Sequence, residues 1–136
     1  WAPDFVLCEG FLTSLIPLYL RTAYKTEPIF ANSEIIYHAY DTPHERLGGD
    51  HFIQKAAINN LSKKDLAPYR DGEGISMHKG AAYYSDAVIV GSESLDTSVD
   101  YLSVASDKPV LPWKNEEEFP AAFVEFLRSV AMAEMA

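Results

Sequence analysis

Cysteine is almost absent from this chain. Cys8 is the only one, so no internal disulfide can form and nothing in cysteine usage marks an oxidising compartment. Long apolar runs are absent too. No stretch approaches the roughly 20 apolar residues that a membrane-crossing helix needs. The start, Trp1-Ala2-Pro3-Asp4, has neither the basic residues nor the apolar core of a secretory signal. Cations are few: 11 Lys and Arg stand against 20 Asp and Glu, a net charge of −9, and Lys63-Lys64 is the only adjacent pair. A phosphate backbone demands clustered Lys and Arg, so no nucleic-acid partner is expected. No membrane partner is expected either, and the expected setting is cytoplasmic.

Several reaction motifs are missing as well. No Gly-x-Ser-x-Gly follows a strand, which excludes a hydrolase nucleophile elbow. Gly48-Gly49 is followed by no Lys-Ser/Thr and is not a phosphate loop. His38, His44 and His51, with Asp41 and Glu45, suggest a metal site by composition, but their spacings supply no matched helical pair. The reading therefore calls for no metal and no cofactor.

What is present is an ordinary globular composition, 48% hydrophobic and 23% charged over 136 residues, enough for one domain with a real core. The chain opens on Trp1 rather than Met, and Asp4 leads directly into a strand, so it reads as cut from something longer.

Strand and helix signals alternate. Asp4–Cys8 is an apolar run that reads as a central strand. Thr13 or Ser14 offers a cap to a helix that fades near Tyr24-Lys25, with Pro17 tolerated in its first turn. Ser33–Tyr40 reads as a second strand, and Asp41–Gly49 as the longest loop. Phe52–Leu61 looks helical, Ser62-Lys63-Lys64-Asp65 resembles a capping box, and Asp71–Gly74 is a turn. The small residues Gly80, Ala81 and Ala82 let a helix over Ile75–Tyr84 sit close on a sheet, with Tyr83 and Tyr84 filling the space beside it. Ala87–Val90 then reads as a strand covered on both faces. A helix is expected over Leu95–Ala105, and a short edge strand, confined by Pro109 and Pro112, over Lys108–Trp113. Phe119, Phe123, Phe126, Leu127 and Val130 mark one apolar face of a last helix. The pattern predicts an α/β fold: a three-layer, Rossmann-like partial domain with a mostly parallel sheet of three or four strands flanked by helices.

In such sheets ligands gather past the carboxyl ends of the strands. Glu9-Gly10 occupies that place after the first strand. Its carboxylate suits sugar hydroxyls or a base role, and better still a helix-start acid that complements the dipole. Thr13 and Ser14 suit caps better than ligand contacts. Tyr40-Asp41 takes the same place after the second strand, where an Asx turn explains Asp41 equally well. Ser92, after the third strand, suits a ligand contact or a cap. Cys8 reads as a buried small apolar residue. No residue is assigned a catalytic role; the candidate substrate-binding set is Glu9, Gly10, Thr13, Tyr40 and Asp41.

Two segments carry a family resemblance. Asp4-Phe5-Val6-Leu7-Cys8-Glu9-Gly10-Phe11-Leu12-Thr13-Ser14-Leu15-Ile16-Pro17-Leu18-Tyr19-Leu20-Arg21 resembles the stretch of bacterial glycogen synthases and plant starch synthases that carries His-Asp-Trp-His and ends Pro-x-Tyr-Leu-Lys. Lys79-Gly80-Ala81-Ala82-Tyr83-Tyr84-Ser85-Asp86 is similar to that family's Lys-Ala-Gly-x-Tyr-Tyr-Ala-Asp. The likeness runs over roughly residues 3 to 95 and fades after 100.

The resemblance implies a two-domain GT-B glycosyltransferase moving glucose from ADP-glucose to the end of an α-1,4-glucan. The whole of residues 1–136 would then be the later part of its N-terminal, acceptor-side domain, with nucleotide sugar and glucan as partners of the full-length protein. The family's His-Asp-Trp-His reads Glu9-Gly10-Phe11-Leu12 here, placing Glu9 at the family's histidine position. The family's Ile-His-Asn-Leu after the second strand reads His38-Ala39-Tyr40-Asp41. With no cationic cluster for a leaving diphosphate, this span is expected to be inactive alone. These departures keep open a non-catalytic relative that binds glucan or a partner protein. An apolar sheet edge, or the Phe119–Val130 face, is where a homodimer would form.

Overall fold

A computed structural model of the chain describes residues 1–41, 46–59, 61–97 and 107–135. In chain order the elements are β1 (Phe5–Glu9), α1 (Ile16–Arg21), β2 (Glu34–Ala39), β3 (Arg46–Gly48), α2 (Gly49–Ala56) and α3 (Lys63–Leu66). There follow β4 (Arg70–Asp71), β5 (Gly74–Ser76), α4 (Met77–Tyr84), β6 (Ala87–Val90), β7 (Val110–Leu111) and α5 (Phe119–Met135).

Four strands make one parallel sheet in the order β1-β2-β6-β7. The register sets Glu9 beside His38, Ala39 beside Val90 and Val88 beside Val110. Alternation along the strands sorts the side chains into two cores. Cys8, Ile35, Tyr37, Ala39, Val88 and Val90 face Ala81 and Ala82 of α4. Ile36, Ala87, Ile89 and Leu111 face Phe126 and Val130 of α5. Every residue of β6 is buried, as its unbroken apolar run requires. The result is a three-layer α/β arrangement with helices on both faces of the sheet, and it contains the fourth strand that the sequence left open.

α5 forms where its apolar residues recur at helical spacing. Asn115 Oδ1 caps its approach, accepting from the Glu117 and Glu118 N–H groups at 3.0 and 2.9 Å. Pro120 falls in the first turn, where a missing N–H costs nothing. Its Phe119–Val130 face lies on the sheet, with Phe126 and Val130 buried and Phe119, Phe123 and Leu127 partly so: an apolar stripe packs against the nearest apolar layer. The sheet edge at β1 leaves Leu7 40% exposed.

A second, antiparallel sheet, β3-β5-β4, was not foreseen. β3 falls within the expected loop, whose residues 42–45 lie outside those described. With α2 and α3 this small sheet closes over Leu18, Ile53, Leu66, Tyr69 and Ile75. Ser62 and Asp65 do form the capping box, Asp65 accepting from the Ser62 N–H at 2.9 Å. α4 starts later than expected, at Met77, because Ile75 and Ser76 pair into β5 and Ser76 caps the helix. Ala81 and Ala82 face the sheet, whereas Gly80 faces Tyr69. A Cβ at Gly80 would fall within the Tyr69 ring, so α4 reaches that ring only with glycine there. Tyr84 packs on the second cluster and donates to the Asp65 carbonyl, but Tyr83 stays half exposed.

Thr13 and Ser14 do not cap α1. Their hydroxyls turn back to the Gly10 and Phe11 carbonyls at 2.9 and 2.6 Å, making a 3-10 turn, and α1 is a short helix with Pro17 in its first turn. It stops at Arg21, whose guanidinium is drawn to Asp86 and to the Ser33 carbonyl. Asp86 also accepts from the Ile35 N–H at 2.8 Å, so one carboxylate ties α1, β2 and the start of β6 together. Of the helix expected over 95–105, residues 93–97 form a 3-10 turn and 98–106 lie outside those described.

Candidate functional site

Because the strands run parallel, β1, β2 and β6 end on one rim, and the candidate site is built there. Gly10 turns the chain off β1 at φ 79°, a left-handed conformation that glycine adopts freely, and its N–H holds the His38 carbonyl at 3.0 Å. The register that pairs Glu9 with His38 also brings their side chains together, Glu9 Oε1 lying 3.3 Å from His38 Nδ1. The Tyr40 hydroxyl stands 3.3 Å from the same nitrogen. The His38 ring, 5% exposed, is held between the rings of Tyr40 and Phe119, with centroids at 4.4 and 5.6 Å.

Burial lowers the His38 pKa below its ordinary 6.5, and Glu9 opposes that only in part. The imidazole is therefore neutral near pH 7 and carries one ring proton. An ionised carboxylate can only accept, so that proton sits on Nδ1 and is donated to Glu9. Nε2 is left as an acceptor. Among the described residues it has no hydrogen-bond partner and no buried side-chain polar atom lacks one, so Nε2 is open to the cleft it lines.

That cleft has a volume of about 430 Å³. Its floor is the strand rim at His38, Tyr40, Val90 and Gly91. Its wall is the segment leading into α5, chiefly Trp113, Lys114, Asn115, Glu116 and Phe119. Gly91 is needed for the floor: a Cβ there would lie 2.7 Å from His38 Nε2 and 2.7 Å from the Ala39 carbonyl. A second histidine supports the rim from below. His78 Nε2 is 2.8 Å from the Tyr40 carbonyl, and Nδ1 is 2.8 Å from the Tyr37 hydroxyl. A carbonyl only accepts, so Nε2 carries the proton and Nδ1 receives the Tyr37 O–H. His78 thereby fixes the backbone at Tyr40. The whole arrangement presents a neutral, oriented acceptor to a hydroxyl in an aromatic-walled cleft.

Glu9, Gly10 and Tyr40 of the candidate set thus converge on His38. Thr13 supports the Gly10 turn through its hydroxyl. Asp41 is on the same rim but faces β6's exit: its N–H donates to Ser92 Oγ at 2.9 Å and its carboxylate accepts from Ser94 Oγ at 2.7 Å. Ser92 accordingly engages the β2 exit. Among the described residues no group of three or more His, Cys, Asp or Glu is placed to hold a metal ion; His44 and Glu45 lie outside them.

Sequence reasoning passed over His38 as a strand residue. Its signal was parity: His38 shares a strand face with Ile36, and only the β1–β2 register shows that Glu9 comes beside it. The 113–116 wall carried no local signal, since its role depends on where α5 docks.

Residues 1–103 match the family model of the starch synthase catalytic domain. The chain belongs to that family. This starch synthase family member is 28% identical over 99 residues to a glycogen synthase of Clostridium perfringens, covering 69% of this chain and 20% of the relative. It is 24% identical over 92 residues to a glycogen synthase of Chlorobium limicola, covering 68% and 18%. Among solved structures it is similar to the catalytic domain of starch synthase IV from Arabidopsis thaliana bound to ADP and acarbose. That likeness has a TM-score of 0.59 at 14% identity and covers 84% of this chain and 25% of the other, a likeness of fold. The starch synthase family member spans about a fifth of the length of the curated relatives it matches.

Proposed function

We propose that residues 1–136 are the later part of the acceptor-side domain of a GT-B glycosyltransferase, which moves glucose from ADP-glucose to the end of an α-1,4-glucan in the cytoplasm. The observation that carries this reading is the rim cleft in which Glu9 holds His38 as a neutral acceptor. There Nε2 receives the hydrogen bond of an acceptor hydroxyl and orients it, the kind of positioning that lowers a transfer barrier without a covalent intermediate. Glu9 and Tyr40 set the ring, Gly10 and Thr13 set the turn beneath it, and Asp41 borders the cleft at the β6 exit. The starch synthase IV structure was bound to ADP and acarbose, which supports a nucleotide and a glucan-like ligand as partners of the full-length protein. This span alone does not turn over, because stabilising a departing diphosphate takes a cluster of cations and the cleft's lining holds only Lys114.

A second reading is a non-catalytic relative that binds glucan or a partner protein. It is favoured by the lining of the cleft, where Lys114 is matched by Glu116 and no cationic cluster stands ready for a diphosphate. The test is incorporation of labelled glucose from ADP-glucose into glycogen by the full-length protein. Incorporation above background supports transfer. No incorporation, together with glucan binding, supports the second reading and ends the first.

A further inference from the structure

Most of the cleft's lining comes from residues 113–120, beyond the span 1–103 that matches the family model. We infer that this segment is the wall of a pocket for a neutral hexose ring, and that Trp113 and Lys114 set which ligand the cleft accepts. The inference rests on the acceptor-side reading above and goes beyond it by assigning specificity to residues outside the family match.

Three observations carry it. The first is an acceptor aimed into the cleft from a buried residue: His38, 5% exposed, whose Nε2 has no partner among the described residues. The second is a set of donors facing it. Lys114 lines the cleft with no ion pair or hydrogen bond among the described residues. Asn115 spends its Oδ1 on the turn into α5 and so keeps its amide NH₂ for a ligand. The third is the aromatic surface of Trp113 and Phe119, which matches the flat C–H face of a sugar. Acceptors and donors together suit hydroxyls, which do both. The lining offers no cationic cluster to an anion, since it holds one cation, Lys114, and one carboxylate, Glu116. A nucleotide diphosphate thus finds no cationic cluster in this pocket while a glucan end fits it, and about 430 Å³ lies in the small-ligand range of roughly 300–1,000 Å³.

The test titrates the full-length protein with maltotriose and, separately, with ADP. Trp113→Ala should weaken maltotriose about tenfold through lost ring contact, and Lys114→Met about fivefold through a lost hydrogen bond. ADP affinity should stay within about twofold in both. Trp113 also packs against the inner core, so Lys114→Met carries the test if Trp113→Ala fails to fold. Wild-type protein that does not bind maltotriose, or a folded Lys114→Met protein that binds it unchanged, overturns the inference. Weakened maltotriose binding without any glucose transfer would leave the pocket standing and end the transfer reading. Transfer with unchanged maltotriose binding in the variants would do the reverse.

Discussion

Replacing Gly91 by alanine tests the floor of the cleft with one methyl group. The added Cβ would sit 2.7 Å from His38 Nε2, 2.8 Å from His38 Cδ2 and 2.7 Å from the Ala39 carbonyl oxygen. None of the three yields readily. The carbonyl accepts the Gly91 N–H and belongs to β2, while the imidazole is clamped by Tyr40 and Phe119 and tied at Nδ1 to Glu9. Overpacking of this kind costs about 1–3 kcal/mol. At roughly 2–4 °C per kcal/mol for a protein of this size or larger, the melting temperature should fall by about 2–12 °C. Any relief requires the imidazole to move, so maltotriose affinity should fall as well. Calorimetry and maltotriose titration of the full-length variant measure both. A melting temperature within about 1 °C of wild type, with maltotriose binding unchanged, would refute the packing argument and the placement of His38 together.

Gly80→Ala should be still more damaging, about 3 kcal/mol or more, because the Tyr69 ring is fully buried and its hydroxyl is anchored on the Ser14 carbonyl; urea midpoints would show it, and an unchanged midpoint would contradict the α4–Tyr69 contact. Cys8 is 1% exposed and burial pushes its thiol up to about 11, so iodoacetamide should label it only after denaturation; rapid labelling of the native protein, read by mass spectrometry, would contradict that burial. The buried His38 titrates below its unfolded value near 6.5, so as pH falls the unfolded chain takes up this proton first. Its contribution to stability is present above 6.5 and is lost as pH falls through the folded value. The difference in urea midpoint between about pH 7.5 and pH 5.5 should therefore be smaller in His38→Gln than in wild type, and equal differences would contradict a neutral buried imidazole.

The parallel sheet was legible because its strands are written locally: Ala87–Val90 is apolar on both faces, and Phe5–Cys8 and Ile35–Ala39 are bounded by turn residues. The last helix was legible from its apolar spacing, but what that face packs against was not. An apolar stripe states that it will be covered without naming the partner, and here the partner is the chain's own sheet at Ile36, Ile89 and Leu111. The three-stranded antiparallel sheet was missed because β3, β4 and β5 have two or three residues each, too short for any period to register. Glu9 and Tyr40 were singled out because strand ends are where such sheets place ligand groups. His38 was not, because its role comes from a cross-strand neighbour nearly 30 positions away in sequence, 29 by residue number. Trp113 and Lys114 reach the cleft through tertiary docking alone.

The central claim is that His38 Nε2 is an unprotonated acceptor facing a sugar-binding cleft. Its most direct test is nitrogen-15 NMR of the histidine side chains in the full-length protein, free and with maltotriose. The account predicts a neutral His38 with its proton on Nδ1 at neutral pH, and a maltotriose-dependent shift confined chiefly to Nε2. A proton found on Nε2, or a His38 resonance that does not move at saturating maltotriose, would contradict it.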